Sequence, residues 1–242
     1  MPALDGKVAL VTGGARRIGR ALSLALANSG AHVVLTFRNS ADEAESLVRA
    51  IRDLGRESFA IRCDVRHPDA IREAVAEAIG FEGHLDLLIN NAGAYNTRNF
   101  EEISLDEWDE VMETNARAPF LFSQLCAPAL RLTHGRIINI GSLGGIRPWA
   151  THAHYCASKA ALHMLTQASA KALAPHIAVN AVAPGMIYFG GPEEKHADHF
   201  AAKTPMQRNG TAQDVADAVL YLATCTEFIT GQILTVDGGL GL

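Results

Sequence analysis

The fold of this chain is decided near its beginning, at Val8-Ala9-Leu10-Val11-Thr12-Gly13-Gly14-Ala15-Arg16-Arg17-Ile18-Gly19. Four apolar residues lead through a glycine-rich turn into a stretch rich in Ala and Leu, which has the composition of a helix. Glycines between a strand and a helix let the backbone approach a pyrophosphate at the positive end of the helix. Because the same glycines also suit an ordinary tight turn, the place of this turn in the fold decides between the two interpretations.

Short apolar, β-branched runs recur along the chain and alternate with longer helical stretches. The predicted strands are Val8–Val11, His32–Phe37, Ser58–Cys63, Leu85–Asn90, Arg136–Ile140, Ile177–Val182 and Ile233–Val236. Nearly continuous apolar strands are typical of a sheet that helices cover on both faces. Strand–helix alternation predicts right-handed crossovers and parallel strands. We therefore predict an α/β fold with a doubly wound, seven-stranded parallel sheet of Rossmann type, in the order 3-2-1-4-5-6-7. The glycine-rich turn is its first crossover, where dinucleotides bind.

Several helix beginnings carry capping patterns. Ser40-x-x-Glu43 and Ser104-x-x-Glu107 fit the capping box, and Thr211 is placed to cap a helix leading into 214–223. Pro68 suits a first helical turn. These patterns support the predicted alternation of strands and helices.

One stretch, from Gly185 to about Thr204, breaks the alternation and is rich in Gly, Pro, Glu and His. Loops of this length in a compact domain often form lids over a site. The chain has 242 residues, of which 48% are hydrophobic, enough for one large core. We predict a single Rossmann-type domain over residues 1–242 with a substrate lid at about 186–204.

Charge and cysteine content restrict the compartment and the partners. The net charge is −5 and we find no polybasic tail, so neither a nucleic acid nor an anionic membrane is an expected partner. The sequence shows no signal peptide and no apolar run of about 20 residues, so no membrane span is expected. The four cysteines are scattered and are interpreted as reduced thiols of a cytoplasmic protein.

The residues after the second strand indicate the cofactor. An Asp or Glu at this place usually binds the ribose 2′-hydroxyl of NAD, but this chain has Phe37-Arg38-Asn39-Ser40. Arg38 and Arg17 are both placed to reach a 2′-phosphate, which the planar guanidinium binds through two hydrogen bonds. We therefore predict NADP(H) in preference to NAD(H). The competing interpretation is that these arginines are ordinary solvated charges.

Tyr155 and Lys159 are four residues apart in Tyr155-Cys156-Ala157-Ser158-Lys159, within a helical stretch. That spacing places both side chains on one face. An ammonium beside a phenol favours the phenolate, so we expect the pKa of Tyr155 to fall and the residue to transfer protons near neutral pH. Lowering it by about three units requires roughly 4 kcal/mol, which a screened surface pair does not supply. The pair is therefore predicted to lie in a pocket.

These motifs together resemble the short-chain dehydrogenases/reductases over nearly the whole chain. The resemblance is carried by Thr12-Gly13…Gly19, Cys63-Asp64-Val65, Asn90-Asn91-Ala92-Gly93, Asn115, Ser142, Tyr155-x-x-x-Lys159 and Pro184-Gly185, in the order and spacing of that family. It implies a catalytic set of Asn115, Ser142, Tyr155 and Lys159. In that set Asn115 holds a water of the proton relay, Ser142 binds the substrate oxygen, and Tyr155 passes the proton. The resemblance also implies tetramers, with helices at about 105–133 and 152–174 forming dimer faces.

The cofactor site is predicted from the glycine-rich turn, the arginines and the family motifs combined. Its residues are Gly13, Arg16, Arg17, Ile18, Gly19, Arg38, Asn39, Ser40, Asp64, Val65, Asn91, Ala92, Gly93, Tyr155, Lys159, Pro184, Gly185 and Ile187. By the resemblance, Asp64 and Val65 border the adenine, and Lys159 binds the nicotinamide ribose while lowering the pKa of Tyr155.

Two positions depart from the family pattern. Arg17 stands where the family usually has Gly, and Phe189 stands where it often has Thr. Both departures resemble the pteridine reductases, in which an aromatic residue, here Tyr95, sandwiches the pterin. Ser142 argues against the pteridine reductases, because that subgroup usually has Asp at this position. The predicted substrate-site residues are Tyr95, Ser142, Trp149, Tyr155 and Phe189.

Three functions remain open from the sequence. The first is an NADPH-dependent oxidoreductase that reduces a carbonyl, either a 3-oxoacyl thioester or a small ketone, with Tyr155 as proton donor. The second is reduction of a C=N bond in a pterin. The third is an NADP(H)-binding sensor without turnover, which the intact catalytic set disfavours.

The predicted lid contains a cluster of possible metal ligands. His196 and His199 lie near Glu193 and Glu194 in the predicted lid, a combination that zinc can use. A solvated lid helix is the better hypothesis, because hydride transfer to a nicotinamide does not require a metal. We predict no metal site.

Overall fold

The computed structural model describes residues 2–190 and 197–242 of the chain. The strands are β1 Val8–Val11, β2 His32–Phe37, β3 Ser58–Arg62, β4 Leu87–Asn90, β5 Arg136–Ile140, β6 Ala178–Pro184 and β7 Ile233–Val236. The α-helices are α1 Arg17–Asn28, α2 Ala41–Asp53, α3 Pro68–Glu82, α4 Leu105–Met112, α5 Ala118–Leu132, α6 Ala153–Leu173, α7 Ala197–Lys203 and α8 Ala212–Thr224. Short 3₁₀ turns lie at Phe100–Glu102 and Leu143–Gly145, and a π-helical turn at Glu113–Arg117.

All seven strands form one parallel sheet in the order β3-β2-β1-β4-β5-β6-β7. The predicted strand order and parallel pairing are therefore confirmed. The chain winds outward from β1 to β3 and then returns to add β4 on the other side of β1. This reversal leaves a crevice at the carboxyl ends of β1 and β4, because the connections from these two strands leave in opposite directions.

Two hydrophobic clusters cover the two faces of the sheet. In β1, Ala9 and Val11 point into one cluster with residues of α1, α2 and α8. Val8 and Leu10 point into the other with residues of α3 and α5. Successive side chains of a strand point to opposite faces, so burial on both faces requires an uninterrupted apolar strand. This is the physical reason for the apolar runs in the sequence.

Three predicted strands have different bounds in the structure. β3 ends at Arg62 and not at Cys63, and β4 begins at Leu87 and not at Leu85. Before β4, the Asp86 carboxylate accepts hydrogen bonds from the backbone N–H of Val8 at 2.9 Å and from Lys7 Nζ at 2.8 Å, so this residue ties down the start of β1. β6 runs two residues further than predicted, to Pro184, because it pairs with β7 up to Val236.

The helix predicted at about 105–133 is interrupted. The π-helical turn at Glu113–Arg117 lies between α4 and α5, and Pro119 lies in the first turn of α5. Proline has no N–H to donate, so the ordinary ladder of helical hydrogen bonds is broken where the helix continues past it. The helix predicted at 152–174 is continuous as α6. The interruption matters because Asn115 lies within the π-helical turn, and such turns are frequent at functional sites.

The predicted side-chain caps are confirmed at two helices and wrong at a third. Ser104 and Thr211 form capping boxes with Glu107 and Asp214 respectively. The prediction for Ser40 is wrong: at ψ 59° it is not extended, and within the described residues its hydroxyl caps no backbone N–H of α2.

Part of the predicted lid lies outside the described residues, at 191–196. Of the remainder, Ile187 pairs with Gly210 in an isolated bridge, and α7 covers 197–203. Across the part of the chain that the structure describes, no helix has both the length and the apolarity needed to cross a bilayer.

Candidate active site

The glycine-rich turn between β1 and α1 packs so tightly that side chains are excluded. Gly13 has φ +61°, a conformation that L-residues rarely adopt. A Cβ on Gly19 would lie 2.2 Å from the carbonyl oxygen of Gly13, so only glycine lets α1 begin against the turn. The Gly13 N–H donates to Thr36 Oγ1 on β2 at 3.1 Å, which fixes the turn against the sheet. The N-terminus of α1 is thereby aimed into the crevice, where an anion is favoured.

Thr12 joins the two strands that flank the crevice. Its Oγ1 accepts hydrogen bonds from the backbone N–H groups of Asn91 at 2.9 Å and Ala92 at 3.0 Å. The Asn91 side-chain amide donates in return to the carbonyl oxygens of Thr12 and Gly13. The predicted cofactor residues Gly13, Asn91 and Ala92 are therefore held together. Thr12 was not among the predicted cofactor residues, although its place before the glycines is a signal that could have identified it.

At the end of the crevice predicted to hold the adenosine, here called the adenosine end, charged side chains pair with one another. Both Asp64 oxygens accept hydrogen bonds from the Arg66 guanidinium, the shortest at 2.7 Å, and this holds the pKa of Asp64 down at about 2. Glu110 on α4 brings its Oε1 to 3.5 Å from Arg66 and 3.9 Å from Arg38. Two guanidiniums thus face one carboxylate oxygen. Neither Arg66 nor Glu110 was predicted, because nothing in their sequence spacing places them beside Arg38.

The other residues predicted to surround the adenosine lie at the same edge. Arg38 and Asn39 are exposed, Ser40 is half-buried and Val65 is buried. Arg16 pairs with Glu43 at 3.5 Å. The arrangement leaves the cationic side chains accessible to a solvated anion.

Arg17 and Phe189, the two residues that depart from the family pattern, contact each other. Arg17 begins α1 with φ +50°, and its guanidinium carbon lies 5.3 Å from the ring centroid of Phe189. A guanidinium at this distance from an aromatic ring is attracted to its face. Arg17 and Arg38, predicted to converge on one phosphate, thus have different partners in this structure. The Arg17–Phe189 contact connects the glycine-rich turn to the segment after β6.

The four predicted catalytic residues come from three places in the sequence and meet at the carboxyl ends of β4 and β5. Ser142 follows β5, Tyr155 and Lys159 lie in α6, and Asn115 lies in the π-helical turn. Asn115, Ser142 and Lys159 are buried, and Tyr155 is half-buried. The Ser142 side chain lies close enough to the Tyr155 hydroxyl to lower the pKa of the phenol. The structure therefore brings all four together.

The predicted effect of Lys159 on Tyr155 is wrong for the chain's own residues. Burial raises the pKa of Tyr155 to about 12, and the nearby Ser142 side chain opposes that rise only in part. The Lys159 ammonium is 5.9 Å from the ring centroid of Tyr155 and donates to the carbonyl oxygen of Ile140 at 2.8 Å. Burial also lowers the pKa of Lys159 to about 8. Desolvation thus outweighs the attraction between the two groups.

Both the oxygen and the nitrogen of the Asn115 side-chain amide make hydrogen bonds. Its Oδ1 accepts from the backbone N–H of Ala94 at 2.8 Å, and its Nδ2 donates to the carbonyl oxygen of Ala94 and to Ser158 Oγ. Ser158 Oγ donates to the carbonyl oxygen of Tyr155 at 2.7 Å. Asn115 therefore joins the segment after β4 to the helix that carries Tyr155. Ser158 was not predicted, since its small side chain in a helix gives no sequence signal.

Aromatic rings surround Tyr155 at the mouth of the site. Tyr95 meets the Tyr155 ring edge-on at a centroid distance of 5.0 Å, and Trp149 lies nearly parallel to it at 6.0 Å. His152, which was not predicted, stacks against Tyr95 at 4.9 Å and contacts Thr97 through Nε2 at 3.0 Å. The predicted substrate residues Tyr95 and Trp149 thus lie beside Tyr155, whereas Phe189 lies with Arg17.

The segment after β6 completes the crevice. The Gly185 N–H donates to Val236 on β7 at 3.0 Å, and a Cβ at Gly185 would lie 2.7 Å from Asp237. Pro184 and Ile187 are buried. Within residues 2–190 and 197–242, no three His, Cys, Asp or Glu side chains lie together as a metal site would require. His196, Glu193 and Glu194 lie outside the described residues.

The family follows from comparison with known proteins. A family model described as enoyl-(acyl carrier protein) reductase matches residues 13–241. A 3-oxoacyl-[acyl-carrier-protein] reductase, FabG, from Staphylococcus epidermidis is 38% identical over 240 residues, which cover 97% of this chain and 98% of that protein. The chain belongs to the short-chain dehydrogenase/reductase family.

Solved structures of relatives share the whole fold. A short-chain dehydrogenase from Burkholderia cenocepacia, determined in complex with NADP, matches with a TM-score of 0.94 at 39% identity, covering 99% of this chain and 100% of that one. A blue fluorescent protein from a metagenomic library, in complex with NADPH, matches with a TM-score of 0.94 at 36% identity and the same coverage. Both bind the phosphorylated form of the nicotinamide cofactor.

Proposed function

We propose that this chain is an NADPH-dependent reductase of carbonyl compounds. The observation that carries the proposal is the meeting of Ser142, Tyr155 and Lys159 at the carboxyl end of β5, beside the crevice that the glycine-rich turn opens. A cofactor bound there supplies a hydride to the substrate carbon. The chain's own residues then have to hold the substrate oxygen and give it a proton.

Tyr155 is the proposed proton donor. Because burial raises its pKa to about 12, the phenol keeps its proton throughout the neutral range and is in the right form for the reductive direction. Ser142 and the Tyr155 hydroxyl together bind the substrate oxygen and stabilise the negative charge that develops on it. Asn115 positions the helix of Tyr155 through Ser158, and Lys159 is placed to bind the nicotinamide ribose.

The proposed cofactor is NADP(H). No carboxylate stands directly after β2, where the chain has Arg38, Asn39 and Ser40, and Arg17 and Arg38 are the proposed ligands of a 2′-phosphate. The NADP and NADPH complexes of two relatives with the same fold support this choice.

The proposed substrate class is a 3-oxoacyl thioester or a small ketone. The 3-oxoacyl reductase among the relatives supports the thioester. The rings of Tyr95, Trp149 and His152 around Tyr155 support a ketone with a flat or apolar substituent. Ser142 at the substrate oxygen favours either of these over a pterin, and the complete catalytic set disfavours a sensor without turnover.

The remaining proposals concern assembly and architecture. We propose one catalytic domain, with 186–204 acting as a lid over the substrate, in a cytoplasmic homotetramer. Large apolar side chains exposed on α4, α5 and α6 support association through these helices; they are Leu105, Trp108, Phe120, Leu132 and Met164.

The test is NADPH oxidation measured against ketones, 3-oxoacyl thioesters, quinones and a dihydropterin, with NADPH binding measured separately by fluorescence. Reduction of a carbonyl with NADPH preferred to NADH is the expected result. Turnover restricted to the dihydropterin would establish the pterin function instead. Tight NADPH binding without turnover of any carbonyl would establish the sensor.

A further inference from the structure

His163 lies buried beneath the turn that carries Ser142. It follows Lys159 by four residues in α6, so the two side chains leave the same face of the helix. Nε2 of His163 accepts a hydrogen bond from the backbone N–H of Ser142 at 3.4 Å, while Lys159 Nζ donates to the carbonyl oxygen of Ile140. The two side chains thus hold the peptide groups on either side of Gly141.

Two glycines make room for the imidazole. A Cβ at Gly141 would lie 2.2 Å from His163 Nε2, and a Cβ at Gly145 would lie 2.7 Å from its Cε1. The ring therefore fills the space between the beginning and the end of the turn. Within that turn, Ser142 Oγ accepts from the Gly144 N–H at 3.0 Å, and the carbonyl oxygen of Ser142 accepts from the Gly145 N–H at 3.0 Å.

The contact with Ser142 requires one form of the imidazole. A ring nitrogen that accepts an N–H must carry no proton, so Nδ1 has to carry it. Burial first, and the nearby charge of Lys159 second, lower the pKa of His163 to about 4, while the contact with the Gly145 backbone opposes that shift. His163 is therefore neutral at physiological pH and able to accept.

We propose that His163 is a positioning residue of the active site: its neutral imidazole fixes the backbone of Ser142 and thereby the hydroxyl that meets Tyr155 and the substrate oxygen. This inference rests on the proposed reductase function for its catalytic consequence, but its structural basis can be tested without substrate.

The structural test uses the wild-type protein. Long-range ¹H–¹⁵N spectra of the histidine rings report the tautomer and the charge of each ring, and His163→Gln identifies the signals of this residue. The expected result is a neutral ring with the proton on Nδ1 that stays neutral at pH 5.5. A ring that carries its proton on Nε2, or is already charged at that pH, cannot accept from Ser142 and overturns the proposal.

The functional test compares His163→Leu with His163→Gln, using the most active carbonyl substrate of the panel. Leucine removes the acceptor and leaves a buried N–H unpaired, so kcat is expected to fall about tenfold or more while the dissociation constant of NADPH is unchanged. Glutamine keeps an acceptor and is expected to restore much of the loss. His176→Leu, an exposed histidine beyond the end of α6, is the control for the loss of an imidazole.

A double-mutant cycle separates positioning from general support of the fold. If His163 acts through Ser142, then His163→Leu costs much less in a Ser142→Ala background than in the wild type. Equal losses in both backgrounds, or an unchanged kcat in His163→Leu, would refute the proposal. If the leucine variant does not fold, the ring spectra and the glutamine variant decide. If the wild type binds NADPH but reduces nothing, the reductase function fails, while the ring spectra still test the contact with Ser142.

Discussion

The two ends of the crevice hold their polar groups in opposite ways. At the catalytic end, Asn115, Ser142 and Lys159 are buried and make hydrogen bonds to neighbouring backbone groups. At the adenosine end, Arg38 and Glu110 are partly exposed and form ion pairs that bring two positive groups to one carboxylate. The catalytic end therefore depends mainly on the cost of desolvating buried groups, and the adenosine end depends mainly on attraction between partly exposed charges.

The difference shows which electrostatic effects can be predicted from the sequence. In a buried site, desolvation of a charged group competes with every attraction, and it determines the pKa directions of Tyr155 and Lys159. At an exposed site, water and salt weaken every charge pair. Whether two groups attract or repel each other is therefore easier to predict than how strongly they do so. Substitutions at the catalytic end should thus have large effects that salt does not change, whereas those at the adenosine end should be smaller and should depend on salt.

The largest expected effect follows from Tyr155→Phe. Losing the hydroxyl removes the proposed proton donor, and general acid catalysis typically contributes about 10²- to 10⁴-fold to the rate. We expect kcat to fall by at least about a hundredfold at low and at high salt, with NADPH binding retained. The measurement is steady-state NADPH oxidation together with a fluorescence titration.

Tyr221→Phe is the matched control, because Tyr221 is exposed on α8 and belongs to no part of the proposed site. Retention of most turnover in Tyr155→Phe, with the control unaffected, would disprove the assignment of the proton donor.

A smaller effect is expected from Arg38→Ala at the adenosine end. A hydrogen bond to a charged group contributes about 1.5–3 kcal/mol, so the dissociation constant of NADPH should rise about 10- to 100-fold. NADH has no 2′-phosphate, and its binding should hardly change. Adding salt should reduce the difference in the dissociation constant of NADPH between the wild type and the variant. Arg49→Ala on α2 removes an exposed arginine outside the crevice and serves as the control.

An equal loss of NADPH and NADH binding in Arg38→Ala would show that this side chain supports the adenosine site as a whole and does not recognise the phosphate. The same comparison with Arg17→Ala decides whether the contact with Phe189 takes that arginine away from the phosphate.

The sheet and the positions of the motifs could be predicted from the sequence. Apolar strands and glycines are local signals: Ala9 and Leu10 must both be apolar because both faces of β1 are buried, and Gly19 must lack a side chain because the Gly13 carbonyl occupies the space. Such requirements determine the residue at the position where they act, so the strands could be located from the sequence. The order expected of a doubly wound sheet is confirmed.

Partners across the sheet could not be predicted in this way. Glu110 lies in α4 and Arg38 follows β2, and no periodicity along the chain indicates that they meet. The pKa of Tyr155 depends on how deeply the ring is buried and on how far the ammonium lies from it, which the four-residue spacing does not fix. His163 gave no signal because a single histidine in an apolar helix is usually a packed core residue.

The smallest predicted effect also gives the most direct test of how the adenosine end works. Glu110 faces Arg66 and Arg38, so its carboxylate competes with a 2′-phosphate for the same guanidiniums. Partly exposed ion pairs contribute about 0.2–1 kcal/mol, so Glu110→Gln should tighten NADPH binding by no more than about fivefold and should leave NADH binding unchanged. Glu45→Gln on α2 removes another ion-paired carboxylate, one that lies outside the crevice and is more exposed, and serves as the control for the loss of a negative charge. Weaker NADPH binding in Glu110→Gln would reverse the interpretation, because it would mean that the carboxylate holds Arg38 in place for the phosphate.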